Sequence, residues 1–253
     1  MVKPRPALAL PFLGCSLLFS ARLHAQEAIA FDRPGMGFST STLPRGGVAW
    51  EQGFPDLEIS HDGNMQSRLL MADTLLRVGL TDTLELQVGT DGYGWLSADD
   101  GVHALHAQGM GNTNLGLKQA LPAPRDEVSL ALLAGVTLPT GHSPIGGGNR
   151  AYTLGISAEW DLGQDRSLGL YIDRGFAGDR GWLLAPSYGF ALCEHWAGYV
   201  EAGVGTGDRE GRMLGVGATW QPRPRVQFDL SVLHGQSGAP DWQGGLGVSV
   251  YFP

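Results

Sequence analysis

Cysteine is nearly absent. The sequence holds two, Cys15 and Cys193. Cys15 falls inside an N-terminal leader, so Cys193 has no partner and no disulfide framework can hold the remaining chain together. Charge is also scarce: Asp, Glu, Lys and Arg make up 17% of the residues, against about a quarter in soluble domains. Basic residues are outnumbered, 17 to 25, which excludes nucleic acid as a partner. Beyond the leader no run of eighteen apolar residues occurs, which excludes a helical membrane protein. No Pro/Ser-rich linker divides the chain, so one large domain is expected.

The leader itself is legible. Lys3 and Arg5 give it a positive start, "ALALPFLGCSLLFSA" (7–21) is an apolar run too short to span, and Ala25 offers a small residue for cleavage. Residues 1–25 are therefore expected to be a cleaved signal peptide of an exported protein. Their removal takes away Lys3, Arg5 and Arg22 and deepens the net charge of −8.

Glycine is present in excess, at 39 residues. Density of this order suits neither helices nor compact enzyme cores, but it suits crowded, curved strands. The strand pattern is explicit. "YTLGISAEWDL" (152–162) alternates Tyr152, Leu154, Ile156, Ala158, Trp160 and Leu162 with Thr153, Gly155, Ser157, Glu159 and Asp161. The same period of two runs through "VSLALLAGVTL" (128–138), "WLLAPSYGFAL" (182–192), "VQFDLSVL" (226–233) and "WQGGLGVSVYF" (242–252). About twelve such segments follow one another, the first at 43–58, each about ten residues long, the length a tilted strand needs to cross a bilayer. Short turns such as "TDT" (81–83), "GQDR" (163–166) and "CEH" (193–195) alternate with longer connections at 97–110 and 139–150.

The direction of the apolar faces follows from what stands opposite. A soluble sandwich coats its solvent face with charge; here the polar faces are mostly Gly, Ser, Thr and Ala. Small residues suit a crowded lumen, and the apolar faces then point to lipid. Trp50, Trp95, Trp160, Trp182, Trp196, Trp220 and Trp242 fall at or near segment ends, where a barrel carries its aromatic girdles. The expected fold is all-β, a transmembrane antiparallel up-and-down barrel of about 12 strands. It occupies 43–253, with 26–42 as an N-terminal periplasmic segment or plug.

The segment "FDRPGMGFSTSTLPRGGVAWEQGF" (31–54) resembles the start of the outer-membrane family named for the MetA pathway of phenol degradation. The shared elements are Asp32-Arg33-Pro34, Pro44 with Gly46, and Glu51 with Gly53. "LRVGLTDTLELQVG" (76–89), "NTNLGLKQAL" (112–121) and "ALLAGVTLPTG" (131–141) resemble its following strands. The chain departs from the usual barrel ending in that Phe252 is followed by Pro253. The resemblance implies an outer-membrane channel or transporter for small, often aromatic, compounds. It supplies no catalytic or ligand residues.

The charges assigned by alternation to inward faces are Glu51, Asp73, Arg77, Glu85, Lys118, Glu159, Asp161, Asp173, Glu201, Arg212 and Asp229, the candidate pore lining. On a lipid face each would cost up to about 2–4 kcal/mol at mid-depth. Their acidic excess would bias an aqueous path toward cations or neutral solutes; alternatively they pair across a filled lumen in a structural or adhesive barrel. Two readings of the N-terminal segment stand: Arg33 folds inward onto acids such as Glu85 or Glu159, or the segment is a frayed tail. No enzyme, metal or cofactor is expected. "GHS" (141–143) lacks a nucleophile elbow, "HALH" (103–106) lies in an expected loop without partner ligands, and "GTGDREG" (205–211) joins two strands. The expected partners are outer-membrane lipid, the barrel-assembly machinery and a small solute.

Overall fold

In the computed structural model, residues 28–253 are described. The expected signal peptide and Cys15 lie outside them. The chain forms strands β1 (Val48–Asp62), β2 (Met65–Gly79), β3 (Leu84–Asp99), β4 (Ala104–Met110), β5 (Thr113–Leu121), β6 (Val128–Leu138), β7 (Ala151–Asp161), β8 (Arg166–Phe176), β9 (Gly181–Cys193), β10 (Trp196–Gly205), β11 (Gly211–Arg223), β12 (Val226–Ser237) and β13 (Trp242–Phe252). All pairings are antiparallel, and β1 pairs with both β2 and β13, so the sheet closes. β4 and β5 follow one another along β3, pairing with its distal half (93–99) and its proximal half (84–90), the proximal end of the barrel being the one where β1 begins and β13 ends. They are two parts of one strand, and the barrel has 12 strands. Closure removes every free edge but that of distal β4.

The alternation is realised with the apolar side outward. Leu154, Ile156, Leu184, Val200, Val216, Leu230 and Leu246 are all exposed. Buried positions are mainly polar: Glu51, Arg77, Glu85, Lys118 and Ser249 are fully enclosed, and among the described residues the buried apolar cluster is Phe31, Leu43, Ala49 and Tyr251. A soluble monomer rarely exposes a contiguous apolar patch beyond roughly a few hundred Å². A continuous outer belt of Leu and Val is stable only in hydrocarbon. Leu132→Arg should therefore impair insertion by about 2–4 kcal/mol, because Leu132 stands on the outer face, its neighbour Leu133 being in register with enclosed Lys118. Thr137→Arg, where Thr137 bonds inward-facing Asn114, should still fold. Heat-dependent gel migration of both variants checks this.

Glycine has a packing role inside the wall. A Cβ on Gly217 would run into the Tyr199 ring, and one on Gly155 would come within 2.9 Å of the Tyr171 ring. These tyrosine rings pack over glycines of the neighbouring strands, where a larger residue would leave no room for them.

Three sequence expectations change. The first strand starts at Val48 rather than 43, because Pro44–Gly47 makes a turn closed by Gly47 N–H to Pro44 O at 2.9 Å. The supposed long loop at 97–110 is instead a continuation of β3 and β4 around a tight turn at 100–103, and "HALH" lies at the start of β4. Among the described connections at the distal end, only 139–150 is long.

Candidate functional site

Both ends of the barrel chain, the start of β1 and the end of β13, lie at one rim, the proximal rim. Residues 28–47 enter the lumen there, cross it and return as a strap. Ile29 is fastened to the β11–β12 turn by its N–H to Pro224 O (3.1 Å) and by Gln221 Nε2 to its own carbonyl (3.1 Å). At the other end Gly46 N–H donates to Gly79 O at 2.8 Å. Between these points the strap touches most of the wall.

Asp32 is its central anchor. The carboxylate accepts from Lys118 Nζ (2.7 Å), Gln87 Nε2 (2.7 Å) and Ser39 N–H (3.0 Å) and lies 3.5 Å from Arg77 Nη1. Burial opposes its charge, but Arg77 and Lys118 outweigh burial and hold the Asp32 carboxyl below the ordinary range. Arg77 also donates to Glu51 (2.8 Å), to both oxygens of Glu85 (2.8 and 2.9 Å) and to the Ala30 carbonyl (3.1 Å). Glu51 receives the N–H groups of Asp32 and Arg33, and Glu85 that of Leu43. Every charge in this enclosed set is paired, as a low-dielectric site demands.

The tip of the strap reaches the opposite wall. Met36 N–H donates to Glu201 at 2.9 Å, Phe38 stands edge-on to Tyr171 with ring centroids 5.3 Å apart, and Thr40 Oγ1 meets Ser129 Oγ at 2.7 Å. Cavities remain on the flanks. One of about 470 Å³ lies distal to the strap, between Asp56, Glu58, Asp73, Leu69, Met71 and Leu233. A second, about 260 Å³, lies along β7–β10 among Ser157, Ser187, Tyr171 and Glu201. A third, about 710 Å³, lies at the proximal mouth beside Glu159 and Asp161. Pro34 lines all three.

The distal mouth is narrowed from two sides. Asn112 clasps the 139–150 loop through Gly141, Gly147 and the Gly147 carbonyl. Arg209, in the β10–β11 turn, reaches down to Asp173 and Asp179.

The eleven candidate lumen charges separate accordingly. Glu51, Arg77, Glu85 and Lys118 form the buried network. Asp73 and Asp229 hold Arg33, Asp173 holds Arg209, Glu201 takes the strap amide, and Glu159 and Asp161 line cavities. Arg212 does not belong with them. It is in register with exposed Val204 and two residues from exposed Leu214, so it stands on the outer face at the distal rim. Arg33 does not meet Glu85 or Glu159; its partners are Asp56, Asp73 and Asp229. Strict alternation puts Asp56 and Glu58 outward, but a bulge between Phe54 and Leu57 shifts the register and turns both inward. Pro55 is the signal that strict alternation overlooked.

All seven tryptophans lie on the outward face. Trp50, Trp160, Trp196 and Trp220 form a proximal band, with Trp196, Trp220 and Phe228 stacked at 5.7 and 5.4 Å. Trp95, Trp182 and Trp242 form a distal band, with Tyr93 beside Trp95 and the Arg174 guanidinium 5.2 Å over Trp182. Two aromatic bands bounding an apolar belt, around a polar lumen, define a transmembrane β-barrel of the porin type.

The family model described as "Putative MetA-pathway of phenol degradation" matches residues 31–252, and the chain belongs to this family. No curated protein matches it in sequence. Among solved structures, an outer membrane channel from Pseudomonas putida F1 is similar in fold (TM-score 0.59, 15% identity, 87% of this chain and 99% of that one). So is KdgM porin in complex with disordered oligogalacturonate (TM-score 0.57, 11% identity, 82% and 99%). At these identities the likeness concerns the fold.

Proposed function

We infer that the protein is an outer-membrane channel for small neutral or cationic molecules, narrowed from the periplasmic side by its own N-terminal strap. In an even-stranded barrel both termini face the periplasm, which makes the proximal rim periplasmic. The two tryptophan bands then sit at the lipid interfaces, and the signal peptide and the assembly machinery deliver the chain there. The observation that carries the channel reading is the space left around the strap: three cavities, distal to it, along β7–β10 and at the proximal mouth, all of them lined by Pro34. A barrel built only as a scaffold has no need to leave such space.

The charged side chains along the path are mainly acidic. Asp56, Glu58, Asp73, Glu159, Asp161 and Glu201 line the cavities. That lining disfavours anions, so the oligogalacturonate of the KdgM structure is not carried over. The apolar fraction, Leu69, Met71 and Leu233, accommodates an aromatic or aliphatic body. Flux into liposomes of benzyl alcohol, benzylamine and benzoate, matched in size, tests this. Passage of the first two with benzoate lagging supports the channel; an insulating barrel supports the structural alternative.

A further inference from the structure

The seat of the Arg33 side chain is built for more positive charge than Arg33 supplies. Its Nη1 lies 3.0 Å from Asp73 and 3.5 Å from Asp56, and its Nε 3.6 Å from Asp229. Three carboxylates thus surround one guanidinium. Asp229 is 5% exposed, and neither of its carboxylate oxygens has a hydrogen-bond partner; nor do Asp56 Oδ1 and Arg33 Nε. Buried carboxylate oxygens are rarely left so.

The backbone makes room for this arrangement. A Cβ on Gly53 would strike the Asp73 carboxylate, one on Gly245 would strike Asp56, and one on Gly247 would come within 2.6 Å of both Arg33 Nε and Asp229. Three glycines on β1 and β13 therefore hollow out a cradle for a planar cation and its carboxylates.

The cradle opens on the distal cavity. Arg33 is the one basic residue of that cavity's lining, against the acids Asp32, Asp56, Glu58 and Asp73. Asp32 is already matched by Lys118 and Arg77. Glu58 has only the Gln243 amide, at 3.4 Å. Beside these acids stand apolar side chains of the same inner face: Met71 is in register with Asp56, Leu69 with Glu58, and Leu233 with Gln243. Acidic and apolar side chains thus alternate from strand to strand along this wall.

The geometry points to the distal cavity as a binding site for amphiphilic organic cations, a protonated amine or amidine on a small apolar body. The cationic group docks among Asp56, Glu58 and Asp73, beside the Arg33 guanidinium and in competition with it. The body packs on Leu69, Met71 and Leu233. This rests on the channel reading for its biological setting but on the cradle alone for its chemistry. Charge is the discriminating feature: a neutral molecule of the same shape leaves the carboxylates unmatched.

Calorimetric titration of the full barrel in detergent, with benzylamine and benzyl alcohol as probes, tests the site. Benzylamine should bind saturably and at least tenfold more tightly than the alcohol. The double substitution Asp56→Asn, Glu58→Gln should weaken the amine at least tenfold, and Arg33→Ala should tighten it at least threefold by vacating the cradle. Heat-dependent migration establishes that each variant is folded. Equal affinity for amine and alcohol, or no loss in the double variant, overturns the site; an unchanged or weaker amine affinity in Arg33→Ala overturns the shared cradle. Binding in detergent is independent of transport. A barrel that binds the amine but never conducts contradicts only the channel reading, and one that conducts without binding contradicts only this site.

Discussion

Deleting residues 29–40 should raise the single-channel conductance several-fold while the barrel still migrates as a folded species. The strap crosses the lumen at mid-height, and its side chains separate the distal cavity from the proximal one. The deletion spares Leu43, which packs with Ala49 and Tyr251 at the start of the barrel, and the turn at Pro44–Gly47. It also spares every strand pairing, so closure is untouched. What it removes is the Asp32 carboxylate from Lys118 and Arg77, and Arg33 from its three aspartates. Lys118 retains Glu85 at 3.5 Å and Arg77 retains Glu51 and Glu85, so the exposed network remains charge-paired. Planar-bilayer recording compares the two chains. Identical traces would mean that the strap does not restrict the path.

Arg77→Met should cost about 3–5 kcal/mol of barrel stability, the penalty for removing one partner from a buried charge set. Arg77, Glu51 and Glu85 are each fully enclosed. Without the guanidinium, Glu51, Glu85 and Asp32 face one another with Lys118 as the remaining cation near them. The Ala30 carbonyl also loses its donor, so the strap loosens with the wall. Urea unfolding in lipid vesicles measures the effect. A loss below about 1 kcal/mol, as for an exposed ion pair, would mean that water reaches this network freely. Arg77→Met combined with Glu85→Gln should recover part of the loss, because it removes one of the uncompensated charges.

Much of the barrel can be read from the chain because a membrane wall obeys one rule at every residue. The face of Leu154, Ile156 and Trp160 and the face of Gly155, Ser157 and Glu159 are separated by period two alone, and the structure keeps that separation. The rule fails where the backbone departs from it. Pro55 sits in a bulge that turns Asp56 and Glu58 inward, which strict alternation assigns outward. Arg212 stands two and four residues from lipid-facing Leu214 and Val216, so the phase of its own strand puts it outward. Long-range closure is equally hidden. Nothing local tells Arg33 to choose Asp56, Asp73 and Asp229, residues on three different strands, rather than Glu85 or Glu159. Arg209 reaches Asp173 from a turn that alternation does not describe. Asp32 was visible only as part of a shared motif, and its role depends on Lys118, 86 positions away.

The central claim is that a mainly acidic lumen passes small solutes beside the strap. The most direct test is the reversal potential of the full chain in a planar bilayer under a tenfold gradient of potassium chloride. The carboxylates of Glu58, Glu159 and Asp161, with the excess of acid around Arg33, predict a finite conductance with a reversal potential of the sign for potassium over chloride. Anion preference, or no current from either the full chain or the strap deletion, would contradict the account.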